Sequence, residues 1–193
     1  MKKVLGQKFF DRPALTVAQE LPGKFLVRKV GRREVALMIV ETEAYFGFED
    51  KGSHAHRGQT PRNTPMFGPA GVIYVYFTYG MHWMLNVVCG KPGFPAAVLI
   101  RGVTSTFQHS AECENVVLNG PAKLTKFLKI DKSLNTLPLG KKAGLWVEDR
   151  GVKISPKQIK KTPRIGIPNR GVWTDKPWRF VLTNEKGRTK VRP

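Results

Sequence analysis

The chain has 193 residues, with 33 Lys and Arg against 14 Asp and Glu, so its formal charge is +19. That length points to a single domain, 1–193, and a hydrophobic fraction of 41% with 10% aromatics supplies a real core, which argues against a disordered basic tail. No stretch reaches the roughly 18–20 consecutive apolar residues of a membrane span, and the basic start MKKVLGQKFFD has no apolar run behind it, so it does not read as a secretory signal. Cys89 and Cys113 are too few for a disulfide scaffold and point to an intracellular protein. His54-x-His56 lacks the further ligands that a zinc site needs, so no metal is expected. A domain this basic is expected to meet a polyanion.

Asp11 ahead of Arg12-Pro13-Ala14-Leu15 predicts a helix start, a capping carboxylate followed by proline in the first turn, with the helix ending before Pro22-Gly23. The β-branched run Val35–Tyr45 predicts a strand. Val72–Tyr79 and Trp83–Cys89 predict two more, joined through Gly80-Met81 as a hairpin, and Ala96–Val103 a fourth. Asn119-Gly120-Pro121 opens a helix with Leu124, Phe127 and Leu128 on one apolar stripe and Lys123, Lys126 and Lys129 elsewhere. Beyond Lys132 the chain is turn-rich, with short strands at best. The expected fold is α+β: one mixed domain on a curved, largely antiparallel sheet with a few flanking helices.

Charge and aromatics are unevenly placed. Lys51–Ala111 has no acidic residue and is rich in Phe, Tyr and Trp, whereas from Arg150 onward thirteen Lys and Arg face only Asp175 and Glu185. The middle is thus a candidate site and the C-terminal third a candidate electrostatic platform.

Three constellations could carry chemistry. In Glu41-Thr42-Glu43-Ala44-Tyr45, strand alternation puts Glu41, Glu43 and Tyr45 on one face and Val40, Thr42 and Ala44 on the other. A half-buried carboxylate beside an aromatic could serve as a general acid or base, although two solvated strand-end acids would have the same spacing. The glycine-punctuated loop 47–58 carries His54, which is either a site residue or an exposed loop histidine. Tyr79 stands at a hairpin turn with little to pack against, a placement that suits stacking on bases or wedging between them. No Walker loop, dinucleotide fingerprint, nucleophile elbow, helix-turn-helix or zinc finger is present.

Taken together, several segments resemble the alkyladenine (methylpurine or 3-methyladenine) DNA glycosylase family. They are LPGKFLVRKV at 21–30, IVETEAYFGFEDKGSHAHRGQTPRNTPMF at 39–67, PAGVIYVYFTYGMHWMLNVV at 69–88, VLIRG at 98–102, NGPAKL at 119–124, PRIGI from 163, and KPWRF ending at 180. The resemblance implies a monofunctional enzyme, without cofactor and monomeric, that flips damaged purines (the 3-methyladenine, 7-methylguanine, hypoxanthine and ethenoadenine class) from double-stranded DNA and hydrolyses the N-glycosidic bond. On the same footing, Glu43 activates the attacking water, which Arg101 and the backbone carbonyl of Ile165 help to hold. Tyr45, Tyr76 and His54 enclose the base, and Asn86 crowds the guanine amino group. Tyr79 fills the gap in the duplex, Met81 presses on the opposite strand, and Lys123 and Arg164 contact phosphates. The location implied is cytoplasm or nucleoid in a bacterium, nucleus in a eukaryote. The 102–118 connection is shorter than in some relatives, and no long arm precedes the first motif, which leaves loop contacts and DNA searching open.

The competing reading is a non-catalytic basic protein of RNA or ribosomes. It shares the charge and the aromatics but gains nothing from an acid at Glu43. In either case, affinity for nucleic acid is expected to fall steeply with rising salt, and a flat salt response would contradict docking by charge.

Overall fold

The computed structural model describes residues 2–105 and 116–183; Cys113 and the basic residues beyond 183 lie outside them. Among the described residues ten strands form one sheet, every ladder of which is antiparallel, and the sheet does not close into a barrel. In chain order the elements are β1 (Lys3–Val4), α1 (Gln7–Phe10), α2 (Ala14–Glu20), β2 (Phe25–Val30), β3 (Arg33–Phe46), β4 (Ile73–Thr78), β5 (His82–Val88) and β6 (Ala96–Thr104). They continue with β7 (Val117–Asn119), α3 (Pro121–Phe127), β8 (Leu145–Asp149), β9 (Ile159–Thr162), α4 (Val172–Asp175) and β10 (Arg179–Leu182). The main path runs β1-β8-β2-β3-β6-β5-β4.

The 14-residue β3 is the spine. Its first half pairs with β2, its second half (Glu41–Glu43) with β10, and its other edge with β6. Between Ile39 and Thr42 the β3–β6 register shifts twice: Val40 on β3 and Arg101 on β6 have no partner in the ladder. These opposed bulges reverse the side-chain parity of both strands. Leu37 and Ile39 enter the main core before the shift, Ala44 after it, and on β6 Val103 gives way to Ile100 and Val98. Strict alternation would have sent Glu41 and Glu43 into that core. The bulge instead turns them to the opposite face and leaves Val40 with Met38, not with Thr42 as simple alternation predicts.

The main core lies between the sheet and its helices, where Val17 and Leu21 of the α2 region and Leu124 of α3 join the β3 and β6 residues. Thr42 on that face donates to the Ala18 carbonyl at 2.6 Å. On the opposite face two smaller apolar groups, Phe25/Val27/Met38/Val40 and Ala55/Met66/Tyr74/Ala97, leave a polar strip between them on β3 and β6.

Two local expectations are corrected. Asp11 is the C-cap of α1, and α2 begins behind Pro13 with no side-chain cap, because a preceding helix occupies the acid. On α3 Thr125 is buried in place of Phe127, which is exposed at 40%. The fold makes Gly102 critical: a Cβ there would lie 3.1 Å from Glu41 Cβ and 3.3 Å from its Oε2. Gly102→Ala is expected to lower stability by about 1–3 kcal/mol, read as a fall in Tm. An unchanged Tm would mean that the bulge is not packed tightly.

Candidate active site

A cavity of about 420 Å³ opens on the polar strip, walled by Tyr45, His54, Tyr76, Asn86, Arg101 and Ile165, among others. Behind this lining sits Glu43, with no solvent exposure. Its Oε1 accepts the Ile165 N–H at 2.8 Å, and its Oε2 accepts the Tyr45 hydroxyl at 3.0 Å. Arg101 approaches both oxygens, but only at 3.4–3.5 Å. A charge-assisted bond is normally 2.7–2.9 Å, so these are the least committed positions on the carboxylate.

Arg101 is slack toward Glu43 because it is held elsewhere: its Nε donates to Glu41 Oε1 at 3.0 Å. The same oxygen accepts from Arg179 Nε at 2.6 Å. Arg179, opposite Glu43 on β10, was not among the expected site residues, and Glu41 was expected only as a second carboxylate on the Glu43 face. Arg179 is separated by 138 positions from its partner Glu41, and only the β10 register brings the two together. Burial raises the Glu43 pKa above the usual carboxylate range, opposed in turn by Arg101, the Ile165 N–H and Tyr45, with Glu41 adding to the rise.

The aromatic wall is built from β4 and the 3-10 turn His54–Arg57, whose start is capped by Ser53 accepting from the Ala55 N–H. The His54 ring meets Tyr76 edge-on, with centroids 4.6 Å apart, and its Nδ1 lies 3.4 Å from the Tyr74 hydroxyl. Partial shielding from water and then the Arg62 guanidinium lower the His54 pKa, which favours the neutral ring. Burial pushes the Tyr76 hydroxyl up to about 12. Asn86 is buried and donates its amide to the Tyr74 carbonyl at 3.1 Å.

Other expected residues are placed as follows. Tyr79 and Met81 stand at the β4–β5 tip, exposed at 78% and 67%. Positive φ at Tyr79 (52°) and Gly80 (66°), with the Met81 N–H bonded to the Thr78 carbonyl at 3.1 Å, gives the tight turn its type I′ pattern. Lys123 is exposed on α3. Ile165 presents its N–H to Glu43.

Arg164 requires a correction, since its side chain has no exposure and cannot present itself to a phosphate. It binds both oxygens of Asp50 at 2.6 and 2.7 Å and the Ala44 carbonyl at 3.0 Å, and it lies over the rings of Tyr45 and Trp178. Asp50, also missed from sequence, accepts in addition from the N–H groups of Phe46 and Gly52. Among the described residues, no three His, Cys, Asp or Glu side chains gather so as to hold a metal.

The sequence profile of the methylpurine-DNA glycosylase family matches residues 8–186. The chain belongs to that family. It is 42% identical to a protein of Methanocella arvoryzae named as a 3-methyladenine DNA glycosylase, over 98% of each chain. Proteins of the same name from Rickettsia felis (45% identity, 94% of each chain) and Streptomyces avermitilis (40% identity, 94% of this chain and 88% of the relative) are also similar. Membership makes this a DNA glycosylase of the alkylpurine type. Among the described residues no helix is long and apolar enough to cross a membrane.

Removing one partner of the Asp50–Arg164 pair leaves a buried, uncompensated charge, at a cost of about 3–5 kcal/mol. Asp50→Ala is therefore expected to lower Tm by roughly 10 °C. Glu20→Ala, which breaks the exposed Arg12–Glu20 pair, should change stability by no more than about 0.5 kcal/mol. Equal effects would show that the buried pair is not a structural hinge of the site.

Proposed function

We propose that this family member is a monofunctional glycosylase in which Glu43 is the general base for hydrolysis of the N-glycosidic bond of a flipped, damaged purine. The observation that carries the reading is the Glu43 carboxylate: buried and raised in pKa, it is aligned by the Ile165 N–H and the Tyr45 hydroxyl and only loosely faced by Arg101. Water entering between Glu43 and Arg101 would displace the weakest contacts of the carboxylate. It would then lose its proton to Glu43 as it attacks the sugar C1′. The transition state has oxocarbenium character, which the carboxylate also stabilises electrostatically. With water as nucleophile, no Schiff base forms and the product is an abasic site in an intact strand.

Tyr45 and Tyr76 offer ring faces for a planar purine, and a cationic alkylated base gains further from them. Burial raises the Tyr74 pKa and keeps that hydroxyl protonated. Once it donates to His54 Nδ1, Nε2 carries the proton and can donate at the purine six position. Asn86 narrows the floor against a guanine amino group. The Tyr79–Met81 tip would enter the duplex where the nucleotide has left, and Lys123 would meet the backbone, offsetting the few kcal/mol of unstacking. The 3-methyladenine named for the relatives is one substrate of this reading, with 7-methylguanine, hypoxanthine and ethenoadenine as the others.

Duplexes carrying each lesion are expected to release free base and acquire alkali-labile sites. Absence of release from every damaged purine, together with tight RNA binding, would favour the non-catalytic reading. Glu43→Gln is expected to keep DNA binding and lose at least ~100-fold in base release, within the range of general acid–base catalysis. Because a general base works deprotonated, the rate should fall as pH drops through the raised Glu43 pKa, with its midpoint above the ordinary glutamate value. The sign for stability is opposite. A folded-state pKa raised above the unfolded one contributes stability below the unfolded value, and this is lost as pH rises through the folded pKa. Glu43→Gln should consequently raise Tm at neutral pH, and the gain should vanish in acid.

A further inference from the structure

Beside the larger cavity lies a second, of about 270 Å³, lined by Lys51, Ser53, His54, His56, Arg57 and Arg170. The two share Lys51, Ser53, His54 and Arg170, so they adjoin across the loop that carries His54. No carboxylate lines the smaller cavity. Among the described residues, Lys51, Arg57 and Arg170 form no ion pair. The nearby Asp50 is buried and committed to Arg164. His56 has its Nδ1 2.9 Å from the Phe48 carbonyl, so that nitrogen donates and Nε2 is left for another partner. Three like charges around one concavity, without a counter-charge, raise its potential and favour an anion there.

The larger cavity contrasts with this one. There Arg101 is paired with Glu41 and Glu43, whereas Lys51 and Arg170 line both cavities and Arg57 lines the smaller one alone. A purine seated against Tyr76 brings its own sugar and phosphates with it, and the cation-lined concavity shares four residues with the cavity that would hold that purine. We infer that the smaller cavity binds the phosphodiester adjoining the extruded nucleotide, through Lys51, Arg57 and Arg170. It engages that phosphate only after extrusion. This assignment rests on the larger cavity being the base site. It makes the subsite a device that favours the flipped state, distinct from a contact with stacked DNA.

The test compares binding of the full chain to a lesion duplex and to an undamaged duplex of the same sequence across a salt series. Neutralising one phosphate contributes about −0.9 to the slope of log affinity against log salt on duplex DNA. Arg57→Gln, an exposed position that leaves folding intact, is expected to lessen the lesion slope by up to about that amount and to leave the undamaged slope unchanged. Lys51→Gln should behave in the same way. Replacing the phosphates on either side of the lesion, one at a time, by neutral methylphosphonate should weaken wild-type binding at one of the two positions. At that position the loss should be less than twofold in Arg57→Gln. Inorganic phosphate at matched ionic strength should compete more strongly with lesion duplex than with undamaged duplex.

Equal slope changes on both duplexes, or variant and methylphosphonate effects that multiply, would overturn the subsite while excision stays intact. Failure of excision on every damaged duplex would overturn the base-site reading first and this assignment with it. The two failures are separated by scoring base release on the same duplexes.

Discussion

The bond between Arg164 and Asp50 ties the site together. One guanidinium takes both carboxylate oxygens and the Ala44 carbonyl, and the same carboxylate takes the N–H groups of Phe46 and Gly52. Four stretches of chain are thereby locked to one another: the end of β3, the loop leading to His54, the segment around residue 165, and, through the ring of Trp178, the approach to β10. Each neighbour of the pair does something at the cavity. Tyr45 follows Ala44, Ile165 follows Arg164, and the loop beyond Asp50 turns into the start of the His54 helix. Even a Cβ on Gly52 would fall 2.5 Å from the Arg164 guanidinium, so the loop has to approach closely. Buried pairs of this kind add little stability over well-packed apolar side chains. What this one supplies is geometry, settled during folding and not at the moment of reaction.

Much of this architecture was legible in the sequence. The β-branched runs located β3, β4, β5 and β6, and Gly80 located the hairpin, because these are local properties of chain stiffness and turn chemistry. Tyr79 was legible for a related reason: a ring at a tight turn has nothing to pack on. The errors came where a local signal had two owners. Asp11 and Pro13 look like one helix start, but the acid closes α1 and the proline precedes α2. The rest was illegible because it is long-range. The parity reversal at Val40 and Arg101 exists only in the pairing of two strands. Arg164 looked like one more cation in a basic region, since nothing in its neighbourhood of sequence announces an aspartate 114 positions away. Arg179 was hidden in the same way.

The net charge of +19 takes on a different meaning once the site is resolved. Glu41, Glu43 and Asp50 are matched by Arg101, Arg179 and Arg164, so this buried cluster contributes nothing to the excess. Glu41 draws on two guanidiniums, which leaves Glu43 with half a partner. That unequal division, combined with full burial, accounts for a carboxylate that binds its proton more tightly than usual yet remains within reach of a cation.

The left-handed backbone of Tyr79 has a kinetic consequence. A side chain other than glycine at φ 52° stores a modest strain, and the hairpin holds it there in the absence of DNA. In the proposed wedging role, a tip formed in this way has no ordering step between collision and insertion. Its dwell time at each base step is then set by how often the duplex opens, not by how often the loop finds its shape. A flexible loop carrying the same ring would search its own conformations anew at every step, and scanning a long duplex would be slower by that factor each time.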